Sequence, residues 1–440
     1  MTQSQPLAGG RPVPIMRSQP QPGLAVSFQG SDNKPMSQEI ANCPPGPLNG
    51  VRVIDLTTVM FGPYCTQIMG EMGADVIKVE SPEGDIGRQT GAFRTRGMSA
   101  AHLMKGRNKR SVVLDLKQPE GLEALQRLTQ TADVFVHNMR PQAARKLGIA
   151  YESIAVWKPD IVYAAAIGFG EDGPYAERPA YDDLIQGMSG VAGLYGMATG
   201  EPRYAPTVMA DKTSGLFLLY AISMALFHRE RTGEGQKVHV PMFECMVSFL
   251  MNEHMQERTF EPSQGNAGYQ RLLTPHRRPY PTADGYLCVM PYNNRHWQRF
   301  FELVGRPELV GDERFAQQSA RSKNIDALYA IVAESMLSRP TAEWLELLGK
   351  ADIPCGQMNT PDDLFNEPHL KAVGMFPKID HPTEGTLRHI KVPVVFGKTP
   401  GGLHRHAEAL GASSAEVLSE LGYSAEAIAE LEQRGVTRTE

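Results

Sequence analysis

The chain has 440 residues, with 44 Lys+Arg against 49 Asp+Glu and a formal charge of −5. That length corresponds to roughly two to three domains and can bury a large core. Hydrophobic residues at 41% and charged residues at 21% exclude wholesale disorder, a collagen-like fibre and a disulfide scaffold, and no long basic block marks a nucleic-acid binder.

Nine of the 33 prolines fall in the first 47 residues, which carry little apolar periodicity, so residues 1–45 read as a disordered extension rather than a targeting signal. From Leu48 the pattern changes. Val51–Leu56 reads as a strand, Phe61-Gly62-Pro63 opens a helix through Met72, Gly73 stops it, and Ala74–Glu80 reads as a second strand. Strand, helix and strand within about 30 residues form a βαβ unit and imply a parallel sheet. Ser111–Leu116, Asp133–His137 and Ile161–Ile167 continue the strands, with a helix over Pro119–Thr131. The expected fold is α/β, with an open, doubly wound Rossmann-like large domain.

The longest apolar run, Leu216–Phe227, is 12 residues long, short of the ~20 needed to span a bilayer, and reads as a buried core helix. Beyond Gln256, short helical patterns at Arg295–Val304, Asn324–Ser338 and Thr341–Lys350 suggest a smaller domain, and Ser413–Gly435 is helical again. Five widely spaced cysteines (Cys43, Cys65, Cys245, Cys288, Cys355) without a CxxC pair suit a reducing compartment.

No Gly-x-Gly-x-x-Gly follows the first strand, and no P-loop, HExxH, EF-hand or Gly-x-Ser-x-Gly pattern occurs, which argues against nicotinamide, nucleotide, metal and serine-nucleophile chemistry. Carboxylates and basic residues near strand ends remain. Asn138 and Arg140 follow the Asp133–His137 strand, where open α/β sheets bind ligands. Lys105, Arg107, Lys109 and Arg110 form a basic cluster that reads either as a solvated face or as an anion site. Asp211 stands just before the apolar helix. It can be an N-cap, or a carboxylate kept ionised by the helix dipole and so competent as a nucleophile. Tyr181-Asp182-Asp183 opens another helix, with Asp182 a competing cap or base.

These segments carry a family pattern. Leu48–Glu80, Asn108–Ser111, DVFVHNMRP at 133–141, Gly168–Gly190, Leu226–Val238, Ile353–Gly356 and the Glu416–Val436 helices resemble, in order, the class III CoA-transferases. That group includes formyl-CoA transferase and carnitine CoA-transferases and is related to α-methylacyl-CoA racemase. The resemblance implies that Asp211 attacks an acyl-CoA thioester, giving a mixed anhydride and then an enzyme–CoA thioester, with Tyr181 in support. It implies a CoA site of Val59, Met60, Leu114, Lys117, Asn138, Met139, Arg140 and Lys146. It also implies an interlocked homodimer with a large domain (46–240 and 380–440), linkers (241–265 and 360–379) and a small α+β domain (266–359). Racemase relatives have histidine where Tyr181 stands, and tyrosine is a poor proton acceptor near neutral pH, which favours the transferase. Ser81 replaces an arginine of some members, and Gly411–Ser414 replaces the Gly-Glu-His-Thr motif.

The expectation is a cytoplasmic CoA-transferase needing no cofactor or metal, with CoA as substrate. Its expected partners are an acyl-CoA donor such as succinyl-CoA and a carboxylic acid acceptor, with no nucleic acid or membrane partner. The alternatives are an acyl-CoA racemase or isomerase of the same fold and a non-catalytic acyl-CoA-binding protein. Arg258, Arg271, His276, Arg277 and Arg278 hint at an acidic acceptor.

Overall fold

The computed structural model describes residues 45–439, so residues 1–44 of the expected N-terminal extension lie outside the described residues. Six parallel strands form the central sheet: β1 (Arg52–Leu56), β2 (Asp75–Glu80), β3 (Lys109–Val113), β4 (Val134–His137), β5 (Val162–Ile167) and β6 (Gln236–Pro241). Their spatial order is β3-β2-β1-β4-β5-β6, the doubly wound arrangement expected from the sequence. Chain direction out of β1 therefore reverses at the β1–β4 seam, where Val53 pairs with Val134 and Leu56 with His137.

Alternation along each strand feeds two cores, because successive side chains leave opposite faces. Ile54, Ile77, Val112, Phe135 and Tyr163 face one side. Val53, Val76, Val134, Val136 and Val162 face the other, against helix α1 (Phe61–Glu71) and helix α2 (Met209–Thr232). The first core is closed by α3 (Ser414–Glu420) and α4 (Ala425–Gln433), which contribute Val417, Leu418, Ile428 and Leu431. These last residues also finish the β3 edge: Ser413 N donates to Ser111 O at 2.9 Å, Val113 N to Ser414 Oγ at 3.1 Å and Asp115 N to Val436 O at 2.8 Å. The Gly411–Ser414 departure thus belongs to sheet packing, and Ser413 Oγ is bonded to Glu408 at 2.7 Å.

A third core comes from residues 280–353 alone, with Trp297, Phe300, Leu328 and Trp344 packed beside the antiparallel strands β7 (Tyr280–Pro281), β8 (Tyr286–Val289) and β9 (Cys355–Gln357). The segment 242–254 is helical, and its Met242, Cys245 and Met246 enter the sheet core. Among the described residues, no helix is long and apolar enough to cross a membrane.

Three local readings need correction. β3 starts two residues earlier than its apolar run, because Lys109 and Arg110 are buried in it with their charges paired. Leu114–Leu116 consequently lies past the strand end. The Leu216–Phe227 helix is not buried all round. Leu218, Ile222 and Ala225 are enclosed, whereas Leu216, Tyr220, Met224 and Phe227 form an exposed apolar stripe. Three of the four residues of the basic cluster are neither a solvated face nor an anion site. Arg107 pairs with Glu71, Lys109 with Asp55 at 3.1 Å, and Arg110 with Asp75 at 2.7 Å and Glu420 at 2.5 Å.

Asp55, fully buried under the end of β1, organises that interior. Burial pushes its pKa up, but the Lys109 and Lys78 ammoniums and the Thr57 and Thr66 hydroxyls more than offset it and hold it well below the usual carboxylate range. Breaking such a pair leaves an uncompensated buried charge. Lys109→Met is expected to cost about 3–5 kcal/mol in chemical denaturation, and adding Asp55→Asn to recover part of the loss. An unchanged denaturation midpoint in Lys109→Met would show that the pair is dispensable.

Candidate active site

At the β1–β4 seam two loops meet beyond the carboxyl ends of the strands, which is where open α/β sheets place ligands. Asn138, just after β4, ties them together: its Oδ1 accepts from Thr58 N at 2.9 Å and its Nδ2 donates to Thr58 O at 2.9 Å. The loop after β1 is clamped throughout. Thr57 N and Oγ1 donate to Asp55 at 2.9 and 2.5 Å, and Lys78 Nζ donates to Thr57 O. Val59 N reaches the Asp85 carboxylate at 3.2 Å, while Lys105 Nζ donates to Val59 O. Val59 is held at φ 70°, a left-handed conformation that a β-branched residue adopts only under constraint. Two cations, two carboxylates and one amide supply that constraint.

Asp211 approaches from the opposite wall. It is not the N-cap of its helix; Val208 occupies that position and Asp211 lies inside the first turn of α2. Gly215, one turn later, lets α2 approach α1 closely, since a Cβ there would meet Phe61 O at 2.9 Å. The helix start is latched by helix α5 (Asp182–Met188). Asp182 Oδ1 accepts from Asp211 N at 2.9 Å, and its Oδ2 accepts from Gln186 Nε2 at 2.5 Å. Gln186 in turn accepts from Ala205 N at 2.8 Å and donates to Thr207 O at 3.1 Å. Asp182 is therefore neither cap nor free base but holds the backbone of Asp211. The Asp182/Gln186 spacing of one helical turn was the available signal in the sequence, and Gln186 went unnoticed.

Burial and the neighbouring Asp182 carboxylate push the Asp211 pKa up to about 6, against the opposing charge of Lys105. This reverses the expected direction of shift, yet leaves the carboxylate ionised at neutral pH. Desolvation also strips it of water, which makes an anionic oxygen more reactive toward an electrophilic carbon.

Six of the ten residues singled out from the sequence (Val59, Asn138, Met139, Arg140, Tyr181 and Asp211) line one cleft of about 400 Å³. Leu114 and Lys117 line an adjoining cavity of about 280 Å³ that shares Leu56, Thr58 and Met139 with the first. Ser81 lines the second cavity as well. Met60 and Lys146 line neither; Lys146 is exposed at the end of the helix Pro141–Lys146. Arg140 NH1 donates to Glu177 O at 3.1 Å. Tyr181 precedes α5 and is 71% exposed at the rim. Lys105 and Asp85 were missed as loop holders, because their function depends on contacts 46 and 26 residues away.

A buried carboxylate lining a cleft at the switch point of a doubly wound sheet, with Arg140 in that cleft and Lys117 in the adjoining cavity, is an arrangement that suits an enzyme site for an anionic substrate. Residues 48–414 match CoA-transferase family III, and the chain belongs to that family. It is 33% identical over 392 residues to the succinate–glutarate CoA-transferase of Agrobacterium fabrum, covering 85% of this chain and 96% of that one. The human succinyl-CoA:glutarate CoA-transferase is 30% identical, covering 89% and 90%. A CAIB/BAIF family protein from Brucella suis superposes with a TM-score of 0.72 at 35% identity, covering 86% of this chain and all of that one.

Of the four clustered basic residues, only Lys105 has no ion-pair partner among the described residues, and its charge opposes protonation of Asp211. Activity that requires the Asp211 carboxylate should fall as pH drops through about 6. Lys105→Gln should move that acid limb to higher pH, and Lys105→Arg should restore it. A pH–rate profile measures both, and an acid limb unmoved by Lys105→Gln would show that Lys105 is structural only.

Proposed function

We propose that this member of CoA-transferase family III moves CoA between carboxylic acids through covalent exchange at Asp211. The observation that carries the reading is the position of Asp211: desolvated, latched by Asp182, and facing the cleft at the switch point. An Asp211 oxygen attacks the thioester carbonyl of the donor, the C–S bond breaks and CoA thiolate leaves, giving a mixed anhydride. The thiolate then attacks the Asp211 carbonyl carbon, releasing the donor's carboxylate and leaving CoA on the enzyme as a thioester. The acceptor carboxylate attacks that thioester, expels the thiolate and forms a second anhydride. Attack of the thiolate on the acceptor's acyl carbon completes the exchange and frees Asp211. A carboxylate is required because only an acyl oxygen becomes in turn an anhydride and a thioester, whereas serine or cysteine would trap the acyl group.

Val59, Asn138, Met139, Arg140, Leu114 and Lys117 would contact the CoA moiety along the two cavities. Succinyl-CoA is the donor we favour, in keeping with the names of the relatives in Agrobacterium fabrum and human. Tyr181 speaks against two-base racemisation, since a phenol is a poor proton acceptor near neutral pH. The proposed setting is the cytoplasm, which the four free cysteines among the described residues suit. We retain the two-domain division with connecting segments near 241–265 and 360–379, and an interlocked homodimer whose interface includes the exposed stripe of α2. An apolar stripe of this length on a helix calls for a partner surface.

Three measurements test the reading. Incubation with succinyl-CoA and hydroxylamine should add a hydroxamate to Asp211, visible by intact mass and absent in Asp211→Ala. Protein that stays unmodified during turnover would sink the covalent route, and deuterium wash-in at the α-carbon would favour a racemase instead. Met224→Glu, in the middle of the stripe, should halve the mass seen by light scattering while leaving the circular dichroism spectrum intact. A wild-type chain that is already monomeric would remove the dimer from the proposal.

A further inference from the structure

A third cavity, of about 490 Å³, lies in the module built on β7–β9 and has no part in the exchange chemistry described above. Its floor includes the apolar side chains of Val289 and Met290. Arg277, Arg278, Tyr280 and Tyr329 supply its polar lining, and no carboxylate lines it. Among the described residues, the two guanidiniums make no ion pair and no side-chain hydrogen bond, although both are charged and stand together. Tyr280 is 4% exposed as a residue, and its hydroxyl, which makes no protein hydrogen bond among the described residues, is open to solvent rather than sealed in. Arg277, Arg278 and Tyr329 line the same cavity as that hydroxyl.

Tyr329 is itself set in place. Arg271, stacked on the Tyr292 ring at 4.8 Å, donates through Nε to Tyr329 Oη at 3.3 Å. That leaves the Tyr329 O–H with only a long 3.9 Å contact to Met290 Sδ. Here two phenols and two guanidiniums all have donor capacity to spare, around an apolar floor.

We infer that this cavity is a binding site for an organic carboxylate carried on an apolar alkyl or aryl body, its anionic end held by Arg277, Arg278 and the hydroxyls of Tyr280 and Tyr329. All of the site's unused polar groups can donate, which selects an anion with planar acceptor oxygens. Its volume and its floor select a body larger and less polar than a short dicarboxylate. Of the five basic residues of the 258–278 stretch, the cavity takes only Arg277 and Arg278, while Arg271 acts through Tyr329. The inference does not rest on the exchange reaction, because the site is complete within the third core's own elements.

Titration calorimetry with hexanoate and benzoate, using hexanamide and benzamide as uncharged counterparts, tests it on the full chain. Both acids should bind to the wild type and to Asp211→Ala alike, and the amides at least about tenfold more weakly. Arg277→Gln/Arg278→Gln, at exposed positions that leave the fold intact, should weaken acid binding about tenfold or more. Tyr280→Phe, which removes only the hydroxyl, should weaken it severalfold. Acid binding that ignores all three substitutions but disappears with Arg140→Gln would assign the ligand to the exchange cleft and overturn the proposal. Equal affinity for acids and amides, or no binding by either acid, would overturn it as well.

Discussion

The contact between Asp55 and Lys109 lies beneath everything this protein does at its cleft. Lys109 Nζ joins the carboxylate to Thr66 Oγ1 at 2.7 Å and Pro63 O at 3.0 Å, so β3, β1 and the start of α1 meet at one ammonium. The other Asp55 oxygen bonds Thr57, the first residue of the loop that carries Val59. A charge pair in a water-free interior is an uncertain source of stability, because desolvation offsets much of the Coulomb gain. Its value here is geometric. It sets where β1 ends and how the chain leaves it, and Lys78, Asp85 and Lys105 extend that control outward to the strained residue at the cleft.

Asp211 illustrates the opposite balance. Its carboxylate is raised to about 6, so the folded protein holds that proton more tightly than the unfolded chain. Stability from this group is present at low pH and is lost as pH rises through about 6, amounting to about 3 kcal/mol at neutrality. The fold tolerates that loss because Asp182 and Gln186 secure the surrounding backbone with neutral and charge-assisted hydrogen bonds. A reactive, poorly solvated carboxylate and a firmly held helix start therefore come from the same pair of helices.

Much of this was legible in the chain. The βαβ rhythm and the apolar strands gave the parallel sheet, and the strand ends then indicated where Asn138 and Arg140 would sit. Asp211 was legible as a residue but not in its state, since its shift comes first from burial and then from Asp182, which is 29 residues away in sequence and bonded to its amide. The basic cluster at 105–110 was opaque for a related reason. Its partners Asp55, Glu71, Asp75 and Glu420 are scattered along the chain, and only the folded sheet collects them. The exposed side of α2 was hidden because an uninterrupted apolar run has no periodicity to divide one face from another. Lys146 followed the family pattern, but it is exposed at a helix end and lines neither cavity.

The closing of the β3 edge by residues 413–437 has a consequence for synthesis. β3 is complete by residue 113, yet the groups that cap it and the helices that cover its face emerge some three hundred residues later. Until residues 413–437 have emerged from the ribosome, the nascent sheet presents an unpaired edge and an uncovered apolar face, the features that invite intermolecular strand pairing. The chain thus folds its Rossmann-like half only provisionally while it is being made. A stop codon that removed just the last two helices would damage the first strands to be translated.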